Sequence, residues 1–202
     1  MLIAGGLIAG LVACSSSPSN HPATAPADSP NSANSPATAA GGADVSASGD
    51  IPDNQVYVPY RSPAGTAAFV LNVPEGWARA EANGSVTFSA KLNRIRIDTV
   101  TAAAAPTVTS VQTTELPTIQ TASAHFQGGQ VSSVTRKGGS AVLITYLADA
   151  APDPVTGKVV HNEVQRYEFW RAGTEVIVTL SSPQGADNVD PWRTISDSFA
   201  WA

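Results

Sequence analysis

Phe69, Leu71 and Val73 recur at every second position, and Pro74-Glu75-Gly76 ends the run. Period two puts the three side chains on one face of a strand, and the Pro-Glu-Gly stretch stops it. Trp77 follows the stop and is expected to pack back on the sheet. Asn83-Gly84 reads as a two-residue hairpin, because both central positions of such a turn need positive φ. Val86 and Phe88 alternate beyond it. Ile95 and Ile97 alternate with Arg94, Arg96 and Asp98, as in a half-buried strand with one wet, charged face. Residues 141–147, AVLITYL, are apolar on both faces and predict a central strand covered on both sides. Residues 159–170 and 175–183 predict two more strands joined by a turn at 171–174, with Val176, Val178 and Leu180 on one face of the second.

Two stretches switch to helical spacing. In ELPTIQTASAHF, Leu116, Ile119, Ser123 and Phe126 share a face, and Pro117 suits a first turn, where its missing N–H costs nothing. FQGGQ then ends that helix. In NVDPWRTISDSFAW, Asp190 is the expected N-cap, Pro191 the first helical residue, and Trp192, Ile195 and Phe199 one apolar stripe.

The amino-terminal pattern is different. Residues 1–13, MLIAGGLIAGLVA, are apolar and uncharged, and the only cysteine of the chain, Cys14, follows them. Thirteen residues are too few for a spanning helix, which needs about 20, but they match the apolar region of a signal peptide. Residues 15–50 hold five prolines, no aromatic residue and Val45 as the one large aliphatic. Such a segment cannot bury enough surface to offset its ordering entropy. We read 14–50 as a disordered Ser/Pro/Ala tether, spanning roughly 30–35 Å root-mean-square as a flexible coil, and 51–202 as one domain. A single cysteine excludes an internal disulfide.

Charge narrows the functional classes. The net charge is -5, and all 11 basic residues lie at Arg61 or beyond, without a Lys/Arg cluster. That distribution speaks against nucleic acid. The candidate chemistry is sparse. Arg94 and Arg96 could form an anion site, but a wet face paired with Asp98 is the simpler reading. His21 sits in the tether and reads as solvated. His125 falls at a helix end and reads as a cap or surface residue. His161 and Glu163, two apart on one strand, share a face and would need outside ligands to hold a metal. Asp187, Asn188 and Asp190 lack the spacing of a calcium loop and read as loop and cap. There is no Gly-x-Ser-x-Gly and no His-x-x-x-His pair. No catalytic residue, metal or cofactor is therefore assigned, and the chain is expected not to be an enzyme.

Two resemblances add to this. The end of the leader, Leu11-Val12-Ala13-Cys14, resembles the lipobox of bacterial lipoproteins. It implies acylation of Cys14, including palmitate-type chains, cleavage before it, and a lipid anchor on the extracytoplasmic face of the cell membrane. The body, with Pro-x-Gly-Trp at Pro74–Trp77 and a closing Trp192…Ser198-Phe199, resembles the PsbP-like fold found in many actinobacterial-type lipoproteins. That resemblance implies an α+β fold, an antiparallel β-sheet flanked by helices, and a role in binding or assembly.

The reading that follows is a monomeric, lipid-anchored, non-catalytic binding or accessory module that engages an unknown envelope protein. One alternative is a carrier of an apolar or lipid-like small molecule, which a cavity of about 300 Å³ or more beside residues 141–147 would favour. The other is a hydrolase assembled only in space. The expected contact residues lie in the loop DAAPDPVTGK, namely Asp149, Pro152, Asp153 and Pro154, because a stiff loop on a rigid sheet loses little entropy on docking. The face carrying Arg94 and Arg96 is the second candidate.

Overall fold

A computed structural model describes residues 49–64 and 68–202 of the chain. The expected signal peptide, Cys14, His21 and the expected tether up to residue 48 lie outside the described residues. Gly49, the first described residue, already contacts the body: its carbonyl accepts from the side-chain amides of Asn93 (2.7 Å) and Asn188 (2.9 Å).

The order is β1 (Tyr57–Arg61), β2 (Phe69–Pro74), β3 (Ala78–Ala82), β4 (Ser85–Ala90) and β5 (Asn93–Thr101), then a helical rod. The rod consists of α1 (Val108–Ser110), a π-helical turn (Val111–Glu115) and α2 (Leu116–Ala122). After it come β6 (Gln127–Arg136), β7 (Gly139–Asp149), β8 (His161–Arg171), β9 (Thr174–Pro183), α3 (Val189–Asp197) and β10 (Ala200–Trp201). Seven strands make one antiparallel sheet in the order β3-β4-β5-β9-β8-β7-β6, and β1, β2 and β10 make a second. The fold is α+β, as the PsbP-like resemblance implies.

The alternating residues land where the pattern puts them. Phe69, Leu71 and Val73 of β2 face Ile95 and Ile97 of β5 and Val176, Val178 and Leu180 of β9 in the main core. Trp192 and Ile195 of α3 close it, with Phe199 just beyond the helix. Trp77 packs edge-on against Trp192, ring centroids 6.4 Å apart. The β3–β4 turn has Asn83 at φ 52° and Gly84 at φ 78°, the two positive values that Asn-Gly supplies cheaply.

Several expectations are corrected. The helical rod starts earlier than expected, at Val108 capped by the Thr107 hydroxyl, and ends at Ala122; Pro117 does stand in the first turn of α2, but α1 and the π-helical turn precede it. Pro117 cannot donate to the carbonyl of Thr113 and crowds it. The π-helical turn just ahead, where the Leu116 N–H reaches back to the Val111 carbonyl, resets the ladder at that point. Phe126 is outside the helix and stacks on Tyr146 at 5.3 Å. The two glycines of FQGGQ sit in β6, which pattern alone did not reveal because Ser, Thr and Gln dominate this edge strand; its register shifts between Gly128 and Gln130. Strand β7 is next to the edge and not central, although both its faces are covered near Ala141 and Val142. Finally, α3 is capped at Asn188, not Asp190. The Asn188 side chain turns inward instead, accepting from the Ile51 N–H at 2.8 Å and donating to Gly49 O and Asn93 Oδ1. It ties the start of the domain to β5 and α3.

The rod covers only part of the outer face of the large sheet. Val111 packs on Val142 and Ile144, with Leu116, Ile119, Val131 and Tyr146 around them, over β6 and β7. Toward Arg94, Arg96, Thr179 and Ser181 the outer face of β5 and β9 has no such cover among the described residues, and a groove opens there. Among the described residues no helix is long and apolar enough to cross a membrane.

Candidate functional site

The groove has a volume of about 760 Å³. Its floor is the polar face of β5 and β9 (Arg94, Arg96, Thr179, Ser181) together with Asn162 and Val164 of β8. Ala122 and Ser123 at the end of the rod form one wall, and the β7–β8 loop forms the other with Asp149, Pro152, Asp153, Pro154 and Lys158. All six residues singled out from sequence therefore meet in one concavity. In the sequence they belong to two separate candidate surfaces. Topology joins them: β5 and β7 lie on either side of the β9–β8 pair, and the loop leaves the end of β7 that lies beside Arg94.

Each charged group in the groove has its own state. Arg96 is committed to Asp98 at 2.9 Å and also donates to Ser85 Oγ. Burial pushes the Asp98 carboxyl upward, but hydrogen bonds from Arg96 and Ser85 outweigh it and hold the group below its usual range. The bond to Asp98 raises Arg96 in turn. Asp153 works within its loop: one oxygen accepts from the Thr156 N–H (2.8 Å), the Thr156 hydroxyl (2.9 Å) and the Val155 N–H (3.1 Å). Those bonds, the Thr156 N–H first, keep its carboxyl below the usual range. The Asp153 N–H also donates to the Lys158 carbonyl, and Gly157 N–H to the Asp153 carbonyl, at 2.9 and 2.8 Å. The loop is thus cross-braced around one carboxylate, which gives a structural basis for its stiffness. Arg94, Lys91 and Lys158, by contrast, carry no ion pair among the described residues. Lys91 and Lys158 were not singled out from sequence, since isolated lysines in turns carry no pattern. The groove thus offers three uncommitted cations on a body that is weakly acidic.

The two histidines of the body lie at the surface, as expected, and both meet one carboxylate. His125 Nδ1 lies 2.5 Å from Asp149 Oδ2, and His161 Nδ1 bonds the other oxygen of the same carboxylate. Asp149 and His161 are the closing pair of the β7–β8 hairpin, so their meeting follows from register. His125 arrives from the segment after α2, held by the bond from Asp149 N–H to the Ala124 carbonyl at 2.9 Å. Hydrogen bonds from His125 and then His161, working against partial desolvation, hold the Asp149 carboxyl below its usual range. Glu163 does not join them; its carboxylate accepts from the Gly185 N–H at 3.3 Å.

A second charged cluster lies under the rod. Glu115, Glu168 and Glu175 each place a carboxylate oxygen within 4.8 Å of the others. Arg166 donates to Glu168 at 2.8 Å and to Glu115 at 3.1 Å. Glu168 is fully buried, and desolvation pushes its carboxyl up to about 8, Arg166 opposing and Glu115 adding to the rise. Desolvation raises Glu175 as well, with Glu115 reinforcing it. Glu168 also lines a cleft of about 470 Å³ together with Pro106, Val108, Ala141, Val142 and Trp170.

No protein-family profile matches the chain, and no curated protein does. Solved structures do. Cyanobacterial PsbP (CyanoP) from Synechocystis sp. PCC 6803 is 15% identical, covers 76% of this chain and 98% of its own, and superposes with a TM-score of 0.51. That is a likeness of fold, and it agrees with the PsbP-like architecture. LpqN of Mycobacterium tuberculosis, a protein involved in cell envelope biogenesis, gives a TM-score of 0.42 at 17% identity, covering 74% of this chain and 92% of its own. A Bacteroides thetaiotaomicron VPI-5482 protein matches at TM-score 0.40 and 11% identity over 66% of this chain, which spans 45% of that protein's length.

Proposed function

We propose that this chain is a non-catalytic binding module, tethered by lipid at Cys14 to the extracytoplasmic face of the cell membrane, and that its body engages an envelope protein through the groove. One observation carries the reading. The braced loop and the open face of the sheet, chosen separately from sequence, form the two sides of a single concavity with Arg94, Lys91 and Lys158 uncommitted in it. Three cations without internal partners suit an acidic, extended segment of the partner. Stiff walls lower the ordering cost of holding it. The tether gives the body reach above the lipid surface.

Metabolic labelling with a fatty-acid analogue and crosslinking on intact cells test the two halves together. The wild type is expected to take up label and Cys14→Ser to take up none and leave the membrane fraction. A tagged Arg94→Glu/Lys158→Glu variant, with its melting temperature kept, is expected to capture its main partner with yield reduced severalfold. Equal labelling of Cys14→Ser overturns the anchor. Equal capture by the folded charge variant overturns the groove.

The cleft beside Ala141 and Val142 supports a second reading, a carrier of a small apolar molecule with a hydrogen-bonding end. At about 470 Å³ it passes the size set out above. Trp170 lies in its lining, so a medium-chain fatty acid or alcohol that enters is expected to change tryptophan emission saturably, and Val142→Trp is expected to abolish that change. A flat titration in the wild type rules the carrier out.

A further inference from the structure

We propose that Glu115, Glu168 and Glu175, gathered between the rod and the outer face of the large sheet, form a binding site for a hard divalent cation, Ca²⁺ in the first instance. The three come from three elements. Glu115 ends the π-helical turn, Glu168 lies on β8 and Glu175 on β9. Glu175 is the cross-strand partner of Trp170, which stands two residues from Glu168, so register puts both glutamates on one face of the β8–β9 pair. One carboxylate oxygen of each residue lies within 4.8 Å of the others. The ligands of a Ca²⁺ ion sit about 2.3–2.6 Å from it, so two of them can be about 5 Å apart at most. The spacing therefore fits a single ion. A donor set made only of carboxylate oxygens suits Ca²⁺ better than softer metals, which take nitrogen or sulfur.

Two of the carboxylates are buried with an oxygen unpartnered. Glu168 is 0% exposed and Glu175 7%, and neither Glu168 Oε2 nor Glu175 Oε1 has a hydrogen-bond partner among the described residues. Buried carboxylate oxygens are held by donors or by cations, and these two have neither from the chain. Arg166 is spent on other oxygens: its Nε donates to Glu168 Oε1 and its Nη2 to Glu115 Oε2. Those bonds orient two of the three carboxylates, as an outer partner orients a metal ligand. Three ionised carboxylates and one guanidinium leave two negative charges, which a dication cancels. With the ion removed, burial meets the same deficit by keeping a proton on Glu168. Ion and proton compete for that carboxylate, and on binding the proton goes to solvent. Glu168 also lines the cleft of about 470 Å³ beside Pro106, Val108 and Trp170, which gives the ion a way in and room for water. Water is needed, because Ca²⁺ takes about 6–8 oxygens. Two of the ligands sit on paired strands, the rigid support that a metal site requires. None of the three glutamates lines the groove, so the inference does not depend on the proposed partner.

The test uses the full 202-residue chain in mild detergent, stripped of ions by a chelator that is then dialysed away. Titration with Ca²⁺ by calorimetry at pH 7 is expected to show one equivalent bound, and saturating Ca²⁺ is expected to raise the melting temperature, since the unfolded chain has no such site. Removing an outer partner of a metal ligand typically costs about 10–100-fold in affinity, so loss of a ligand is expected to weaken binding by at least about tenfold in Glu115→Gln and in Glu175→Gln. Glu75→Gln, an exposed glutamate outside the cluster, is expected to bind like its parent. Absence of uptake by the folded parent up to about 1 mM Ca²⁺, the weak end of calcium-binding modules, overturns the proposal. So does uptake at parental affinity in either cluster variant. Should the variants not fold, the ¹H–¹⁵N resonance of the Arg166 Nε–H in the parent decides, because that group donates to a proposed ligand. A shift on adding Ca²⁺ supports the site, and an unshifted resonance overturns it.

Discussion

Ending the chain after Val189 is expected to abolish cooperative unfolding. The thirteen residues removed include Trp192, Ile195 and Phe199, which are 3%, 0% and 0% exposed. Each fully buried large apolar side chain contributes roughly 1.5–3 kcal/mol, so the three together rival a whole domain's stability of about 5–15 kcal/mol. The loss goes beyond area. The Phe199 ring stacks on Phe169 with centroids 3.9 Å apart and on Phe69 at 5.5 Å, joining the large sheet to the small one. Gly138 lies so close that a Cβ there would come within 2.6 Å of that ring, so the hairpin between β6 and β7 is shaped around Phe199. Strand β10 pairs with β2, and the Asn72 N–H donates to Ser198 Oγ at 2.8 Å. Without these residues β2 loses its neighbour on one side and its cover. Far-ultraviolet circular dichroism on heating is expected to show a sigmoidal transition for the full chain and a broad, non-cooperative drift for the truncated one. A truncated chain that melts like the full one would show that the closing segment adds nothing to the core.

That core was legible because its residues obey short periods. Phe69, Leu71, Val73, Ile95, Ile97, Val176, Val178 and Leu180 lie in strands whose opposite faces are wetter, so sequence alone assigned their side. The Asn83-Gly84 and Ala172-Gly173 turns were legible for a local reason, since positive φ has few suppliers. Strand β6 was hidden because an edge strand needs little apolar surface. The start of the rod was hidden because the signal in ELPTIQ is that of a helix start, and the π-helical turn that lets Pro117 sit inside a helix leaves no mark in composition. Strands β1 and β10 are short and gain their order from β2, a non-local cause.

The site was legible in part for the same reason. The loop and the two arginines are local features, and both were found. Their union is a product of strand order, which the sequence does not state. Asp149 and His161 could have been paired from the hairpin they close, had the loop been treated as a turn with a register. His125 had no such signal, because its place depends on where the rod ends relative to β7. Glu168 was missed through the rod. On an open sheet, alternate Arg166, Glu168 and Trp170 would be a wet face; with the rod's start unseen, nothing indicated that this face was covered.

Burial of Glu168 gives the second large expected effect, a loss of stability as pH rises from 5 to 8. The carboxyl is fully buried, one oxygen accepts from Arg166 and the other has no partner among the described residues. Desolvation is the largest influence and disfavours the charged form; Arg166 opposes it, and the neighbouring Glu115 adds to it, leaving the group at about 8. In the unfolded chain a glutamate titrates near 4.3. Between those two values the folded chain holds a proton that the unfolded chain has released. Stability contributed by that proton is fully present below the unfolded value and is lost as pH rises through the folded one. The slope is at most about 1.4 kcal/mol per pH unit, so three units remove up to about 4 kcal/mol, a large share of a marginal stability. Glu175, raised in the same direction, adds to the slope. Glu168→Gln keeps the volume, stays neutral at every pH and can still accept from Arg166. Urea melts of both proteins at pH 5, 6, 7 and 8 are expected to give similar stabilities at pH 5 and a growing advantage for Glu168→Gln above it. Parallel curves for the two proteins would mean that Glu168 is ionised throughout, held by Arg166 against the cost of burial.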